Sequence, residues 1–178
     1  MYEIEAKIKV DSLDIIREKL KEIGAKFIAE RSQEDILFDD ADQSMIKADS
    51  CLRLRKQVSS EGTKFILAYK GAKEKSNFKK RLEIEIEVND SDSTQELISA
   101  LGYEKKITVE KKRDIWLIET CEVALDQVKL LGDFVEIEGS DEKKINSVQK
   151  SLGLEQSKHI PKSYAAMIMD KLNQDDKK

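Results

Sequence analysis

The sequence predicts an α+β fold in which a mostly antiparallel sheet of about nine strands, able to curl into a closed or nearly closed barrel, is covered by helices on its apolar face. Three observations lead there. Side chains alternate between apolar and charged with period 2 over most of the chain, four segments switch to period 3.6, and charge recurs on the same face of strand after strand. The chain has 178 residues, 39% of them hydrophobic, which is enough for one core. No Pro/Gly-rich linker divides it, so residues 1–172 read as one domain and 173–178 as a charged tail.

In chain order, residues 2–10 alternate as a strand, and residues 11–24 read as a helix capped by Asp11 or Ser12 and stopped by Gly24. Strands follow at 27–38, 51–58 and 63–70, the last two joined by the short turn Ser59-Ser60-Glu61-Gly62, which suits a hairpin. The polar stretch 71–79 reads as a loop and 80–88 as a strand. A helix capped by Ser91 or Ser93 ends at Gly102, and strands are expected at 103–113, 115–119, 121–128 and 134–139. A third helix starts near Ser140 and ends at Gly153, where glycine can take the left-handed conformation; a fourth runs from Ser163 to about Leu172. Three of the charged strands each precede a capped helix, which hints at a strand-helix repeat.

Composition excludes several functions. With 32 Lys and Arg against 36 Asp and Glu, the net charge of −4 argues against a nucleic-acid grip over the whole surface. No run is apolar enough to span a membrane and the N-terminus lacks a leader pattern, so a cytoplasmic protein is expected. His159 is the single histidine, which starves a His-based zinc site or a serine-type triad. Gly132-Asp133-Phe134 lacks the spacing of a phosphate-binding P-loop. Cys51 and Cys121 read as packed small hydrophobes, and Trp116 and Tyr103 as packing residues.

Charged residues make up 38% of the chain against a usual quarter, and the strands say where they go. Glu3, Glu5 and Lys7 oppose Ile4, Ala6 and Ile8; Arg53 and Arg55 oppose Leu52 and Leu54; Arg81, Glu83 and Glu85 oppose Leu82, Ile84 and Ile86; Glu136 and Glu138 oppose Val135 and Ile137. One reading is a solvated sheet face. The other is a barrel whose polar faces look at one another across a channel lined with both signs of charge. A polyphosphate is the ligand that needs both, because Lys and Arg neutralise its oxygens while carboxylates hold a bridging Mg²⁺ or Mn²⁺.

The N-terminal Glu3-x-Glu5-x-Lys7 resembles the signature of the CYTH superfamily of triphosphate tunnel proteins. The resemblance extends in order through Leu52-Arg53-Leu54-Arg55, Tyr69-Lys70-Gly71, Arg81-x-Glu83-x-Glu85, Glu110-Lys111-Lys112-Arg113, Asp126 and Leu131-Gly132-Asp133-Phe134-Val135-Glu136-Ile137-Glu138. The last two blocks and Pro161-Lys162-Ser163-Tyr164 look most like the class IV adenylate cyclase branch, with Lys162 where Arg is expected. The resemblance implies a closed or nearly closed antiparallel β-barrel of about eight or nine strands, with helices packed outside, whose central tunnel binds nucleotide, thiamine or inorganic triphosphates with Mg²⁺ or Mn²⁺. It implies phosphate contacts for Lys7, Arg53, Arg55, Lys70, Arg81, Lys111 and Arg113, and metal binding, directly or through water, for Glu3, Glu5, Asp126, Glu136 and Glu138. Glu83 and Glu85 would bind metal or orient the nucleophile, and Lys7 joins them in the catalytic set. The activities implied are an adenylate cyclase, a thiamine or inorganic triphosphatase, or, in another class, a non-catalytic binding module; a homodimer is left open.

Overall fold

The computed structural model describes residues 2–72 and 79–175, with side chains from 4 to 72 and 81 to 174. Eight strands close into a barrel in the order β1-β5-β4-β3-β2-β6-β7-β8, every neighbouring pair antiparallel. They are β1 (Tyr2–Lys9), β2 (Lys26–Asp39), β3 (Cys51–Ser59), β4 (Gly62–Lys70), β5 (Lys79–Val88), β6 (Glu104–Ile118), β7 (Cys121–Val128) and β8 (Gly132–Gly139). The helices are α1 (Leu13–Glu22), α2 (Ser44–Lys47), α3 (Ser91–Ala100), α4 (Glu142–Ser151) and α5 (Tyr164–Asp175). Among the described residues no helix is long and apolar enough to cross a membrane. The loop lysines Lys73 and Lys75 lie outside the described residues.

Four features differ from the sequence expectation. The strands expected at 103–113 and 115–119 are one 15-residue strand, β6, because Asp114 does not interrupt the ladder. Its carboxylate points outward and accepts hydrogen bonds from Arg17 Nε at 3.1 Å and Nη2 at 2.7 Å, which fastens α1 to the barrel wall. The caps of α3 and α4 are Asp90 and Asp141 rather than the neighbouring serines; each carboxylate accepts a backbone N–H, from Ser93 at 2.6 Å and from Lys144 at 3.0 Å. The helix α5 runs on to Asp175. The short α2 was not expected at all, having no apolar period to announce it.

The outward apolar faces of β1, β7 and β8 pack under α1 and α4, with Ile8, Val123, Val135 and Ile137 meeting Ile16, Leu20, Ile145 and Leu152. Gly24 and Gly153 end these helices with φ of +74° and +69°. Trp116 belongs to this cluster and meets Phe27 edge-on at 5.3 Å. Tyr103 packs beside Ile98 of α3 against Leu54 and Leu67. Helices do not cover the whole wall. On β5, Leu82, Ile84 and Ile86 remain 40–55% exposed, because α3 reaches the barrel mainly through Ile98.

The last helix is placed differently from the others. Residues 160–168 fold over one end of the barrel: Ile160 N–H donates to the Lys7 carbonyl at 2.8 Å, and Tyr164, Ala165 and Ile168 pack on Val109, Val128 and Phe134 from the strand interiors. Apolar periodicity fixes that a helix has a buried face, not which surface receives it.

Candidate functional site

Period-2 alternation around a closed barrel sends one set of side chains inward, and all eight strands contribute to a cavity of about 300 Å³. Among the described residues its lining includes eight bases and seven acids. Of the residues singled out from sequence, Lys7, Arg53, Arg55, Lys70, Arg81, Lys111, Arg113, Glu5, Glu83, Glu85, Glu136 and Glu138 all line it. The side chain of Glu3 lies outside the described residues. Arg31, Gln33, Asp35, Glu122 and Tyr164 join the lining without having been in the expected set. The first three occupy the inward positions of β2, a parity that the alternation already contained.

Strand order segregates the charge. The arc β3-β2-β6 supplies Arg31, Arg53, Arg55, Lys111 and Arg113, the last four paired with two buried carboxylates. Asp35 takes a two-pronged grip on Arg55, at 2.6 and 2.8 Å, and lies 3.8 Å from Arg53. Burial alone would raise the Asp35 pKa, but Arg55 and Arg53 outweigh it and hold the carboxyl well below the usual range. Asp126, with 0% exposure, does the same for Arg113 at 2.6 and 2.5 Å. It also meets Lys111 at 3.4 Å and accepts from the Tyr164 hydroxyl at 2.9 Å. Burial opposes ionisation of Asp126 too, yet Arg113 and Lys111 lower its pKa. Asp126 thus sits behind the lining, its oxygens engaged by cations of the wall. Burial, aided by Arg113, depresses Lys111 to about 8.

The opposite arc, β8-β1-β5, with its neighbour β7, is rich in acid. Glu5 lies directly across from Glu138, and Glu138 across from Glu122, so three carboxylates form a row over β1, β8 and β7. Like charges directly opposed on a sheet repel. Burial first, then Glu122, Glu5 and Glu83, push Glu138 up to about 7. Lys7, 3% exposed, lies 3.2 Å from Glu136 and 3.8 Å from Glu5. Its Nζ also donates to the Lys162 carbonyl at 3.2 Å and lies 4.2 Å from the Tyr164 ring centroid. Glu136 also contacts Arg113 and so joins the two arcs. Glu83 pairs with Lys70 and approaches Arg81 Nε at 3.4 Å, while Glu85 accepts from Arg53 at 2.7 Å.

The side chain of Lys162 turns away from the tunnel to Asp170. Cys121 is fully buried in the core as expected, whereas Cys51 is a wall residue of the tunnel. His159 sits half-buried against Gln149 at 2.9 Å.

Two features bear on ligands. Arg53 Nε and Arg81 Nε are buried and hydrogen-bond to nothing among the described residues, although each guanidinium faces the cavity. Unsatisfied donors of this kind suit an anion. Among the described residues no three acids converge into a ready-made metal cage. The acidic row nevertheless fits Mg²⁺ or Mn²⁺, since Mg²⁺ is held through one or two carboxylates, water and substrate phosphate oxygens. A cation there would also relieve the repulsion at Glu138.

Comparison with known proteins agrees with this architecture. Residues 1–164 match the model of the CYTH domain. A provisionally named adenylate cyclase of Methanocaldococcus jannaschii is 34% identical over 173 residues, covering 92% of this chain and 97% of that protein. A solved Pyrococcus horikoshii protein superposes with a TM-score of 0.84 at 30% identity, covering 95% of this chain and 99% of that one. A Hippeastrum protein, provisionally an adenylyl cyclase and described as having a dominant triphosphatase activity, shares the fold with a TM-score of 0.71 at 16% identity, covering 95% and 96%. The protein is a member of the CYTH domain family.

Proposed function

We propose that the chain is a divalent-metal-dependent enzyme that acts on triphosphates in its tunnel, converting ATP to cyclic AMP and pyrophosphate. Residues 1–172 would form the working unit. The observation that carries the reading is the convergence of eight bases and seven acids from all eight strands on one cavity inside the barrel. A structural sheet would leave such charges in water, and a passive anion binder would need the bases alone.

Arg53, Arg55, Lys111 and Arg113 line the anion side, where Asp35 and Asp126 hold the guanidinium forks in place before the phosphates arrive. Lys70 and Arg81 neutralise the chain from the other side, and Lys7, already charge-paired with Glu136, reaches a phosphoryl oxygen. Glu5, Glu136 and Glu138, with Glu3, would hold Mg²⁺ or Mn²⁺. When bound, the metal would polarise the phosphate under attack and lower the pKa of the attacking oxygen. Asp126 serves by anchoring Arg113, Lys111 and Tyr164 rather than by binding metal. Glu83 and Glu85 would orient the nucleophile. Phosphoryl transfer asks little covalent work of a protein, so positioning and charge supply most of the rate.

The alternative is hydrolysis of thiamine or inorganic triphosphate, in which water attacks the terminal phosphate. The activity of the Hippeastrum protein on this fold favours keeping it in view. Incubation with ATP, thiamine triphosphate and tripolyphosphate, each with Mg²⁺ or Mn²⁺, followed by separation of cyclic AMP, pyrophosphate and phosphate, decides between them. Expected is metal-dependent cyclic AMP formation that falls about 100-fold or more in Glu5→Gln, Glu136→Gln, Arg55→Ala and Arg113→Ala. Unimpaired turnover in the two Glu variants would remove the metal assignment, and unimpaired turnover in the two Arg variants the phosphate assignment.

A further inference from the structure

On β2 the inward positions run Leu37, Asp35, Gln33 and Arg31, away from the end that α5 covers. The ladders set Arg53 opposite Leu37, Arg55 opposite Asp35, Lys111 opposite Gln33 and Arg113 opposite Arg31. Asp35 and Asp126 match the first four of these cations. Arg31 is different. It lines the tunnel and is only partly exposed, yet among the described residues its guanidinium makes no ion pair and no hydrogen bond. Cross-strand partners share a face, so Arg31 and Arg113 stand side by side on the inner wall, and like charges so placed repel.

The neighbouring position points the same way. Gln33 is 4% exposed, its Nε2 donates to Gln57 Oε1 at 2.7 Å, and its own Oε1 is buried without a hydrogen bond among the described residues. A half-turn of both amides keeps the bond between them and turns an N–H of Gln33 toward the tunnel. Past Arg31 and Arg113 the next inward positions on β6 and β7 are the buried Ile115 and Ala124, where the basic track stops. From Leu37 to Arg31 that track covers about 20 Å of strand, of which roughly 15 Å lies along the axis once the strands tilt by about 40°. Three phosphoryl groups in line are shorter than this.

We propose that Arg31, with Gln33, is the contact for a fourth phosphoryl group, so that the tunnel takes linear tetraphosphates, free or as the tail of a nucleotide, as well as triphosphates. The proposal rests on the tunnel reading given above and extends it to a longer chain. An anion between Arg31 and Arg113 would relieve their repulsion, and the unengaged guanidinium fork of Arg31 can meet two phosphate oxygens at once. Arg31 is thereby a residue that determines chain length, distinct from the cations that Asp35 and Asp126 hold ready for the first three groups.

Calorimetric titrations with Mg²⁺ present compare wild type, Arg31→Gln and Arg31→Lys. The ligands form two matched pairs: tripolyphosphate with tetrapolyphosphate, and 3′-deoxy-ATP with 3′-deoxyadenosine 5′-tetraphosphate, neither of which can cyclise. Expected in Arg31→Gln is a loss of about tenfold or more for the longer member of at least one pair, with the shorter member changed by less than about threefold. Arg31→Lys keeps the charge without the fork and should recover part of that loss. The pair that responds tells a free inorganic chain from a nucleotide tail. Equal losses for both members of each pair would make Arg31 a contact of the triphosphate itself and overturn the proposal; so would unchanged affinity for both tetraphosphates, or wild type that binds tripolyphosphate and neither tetraphosphate. Those three results leave the tunnel reading standing. Wild type that binds none of the four ligands removes both. Thermal melts without ligand check folding, and if Arg31→Gln melts early, Arg31→Lys decides, with a loss of about threefold or more confined to the longer chains expected and no such selectivity overturning the proposal.

Discussion

The two arcs of the tunnel solve the same electrostatic problem in different ways. On β3-β2-β6 Arg55 and Arg113 are already matched: Asp35, in the lining, and Asp126, behind it, fix them by two hydrogen bonds each. On β8-β1 and β7 the row Glu5, Glu138, Glu122 sets carboxylates against one another, and Glu138 answers by rising to about 7. The two aspartates of one side are paired by the protein itself, whereas the acids of the other would be relieved by a cation. Removing an acid should therefore do opposite things on the two arcs.

The largest effect is expected from Asp126→Ala. The substitution leaves Arg113 and Lys111 buried without their principal counter-charge and takes the acceptor from Tyr164. Breaking a buried pair by deleting one partner costs about 3–5 kcal/mol. Urea unfolding of the metal-free protein should show that loss, with Asp126→Asn intermediate because its amide oxygen still accepts from Tyr164 Oη or Arg113. A cost below about 1 kcal/mol would mean the guanidinium does not depend on this clamp.

The contrast between the arcs is also what marks how far the sequence could be read. Inward parity was legible because it is local: alternation at Arg53 and Arg55, or at Glu136 and Glu138, needs no knowledge of partners. The pairing of Asp126 with Arg113 was not, because it depends on β7 pairing with β6 in the register that sets the two opposite each other. The same register reading would have brought Asp35 forward, since β2 pairs with β3 so that Asp35 faces Arg55. Residues Tyr164 and Ala165 were legible as helix but not as the cover of a barrel end, since amphipathicity records a buried face and not its neighbour. The closed barrel itself was foreshadowed by the repeated charge, which no solvated sheet requires.

A smaller effect concerns the basic arc and pH. Lys111 is held near 8 by burial and by Arg113, below the roughly 10.4 of an unfolded lysine. Between those values the unfolded chain binds more protons, so this group makes folding more favourable as pH rises while the tunnel loses a cation. Stability and anion affinity should therefore move in opposite directions. Tripolyphosphate affinity should weaken by up to about tenfold between pH 7 and 9.5, beyond any change in Lys111→Arg, which stays charged throughout. Parallel titration curves for the two proteins would show that Lys111 does not meet the anion.

The smallest effect has the opposite sign and tests the acidic arc. A carboxyl whose folded pKa is raised binds its proton more tightly in the native state, so Glu138 weakens the fold as pH climbs from roughly 4.3 to about 7, and the deficit persists above that. Glu138→Gln removes the titrating group from beside Glu122 and Glu5. In chelator at pH 8 the variant should be more stable than wild type by about 1–2 kcal/mol, allowing for screening at a half-buried site, and the difference should vanish near pH 4.5. Adding Mg²⁺ should narrow the gap by stabilising wild type more than the variant, because a ligand that binds only the folded state shifts the equilibrium in proportion to its affinity. A variant less stable than wild type in chelator would mean that Glu138 is matched by a cation of the protein after all, and the two arcs would then be built alike.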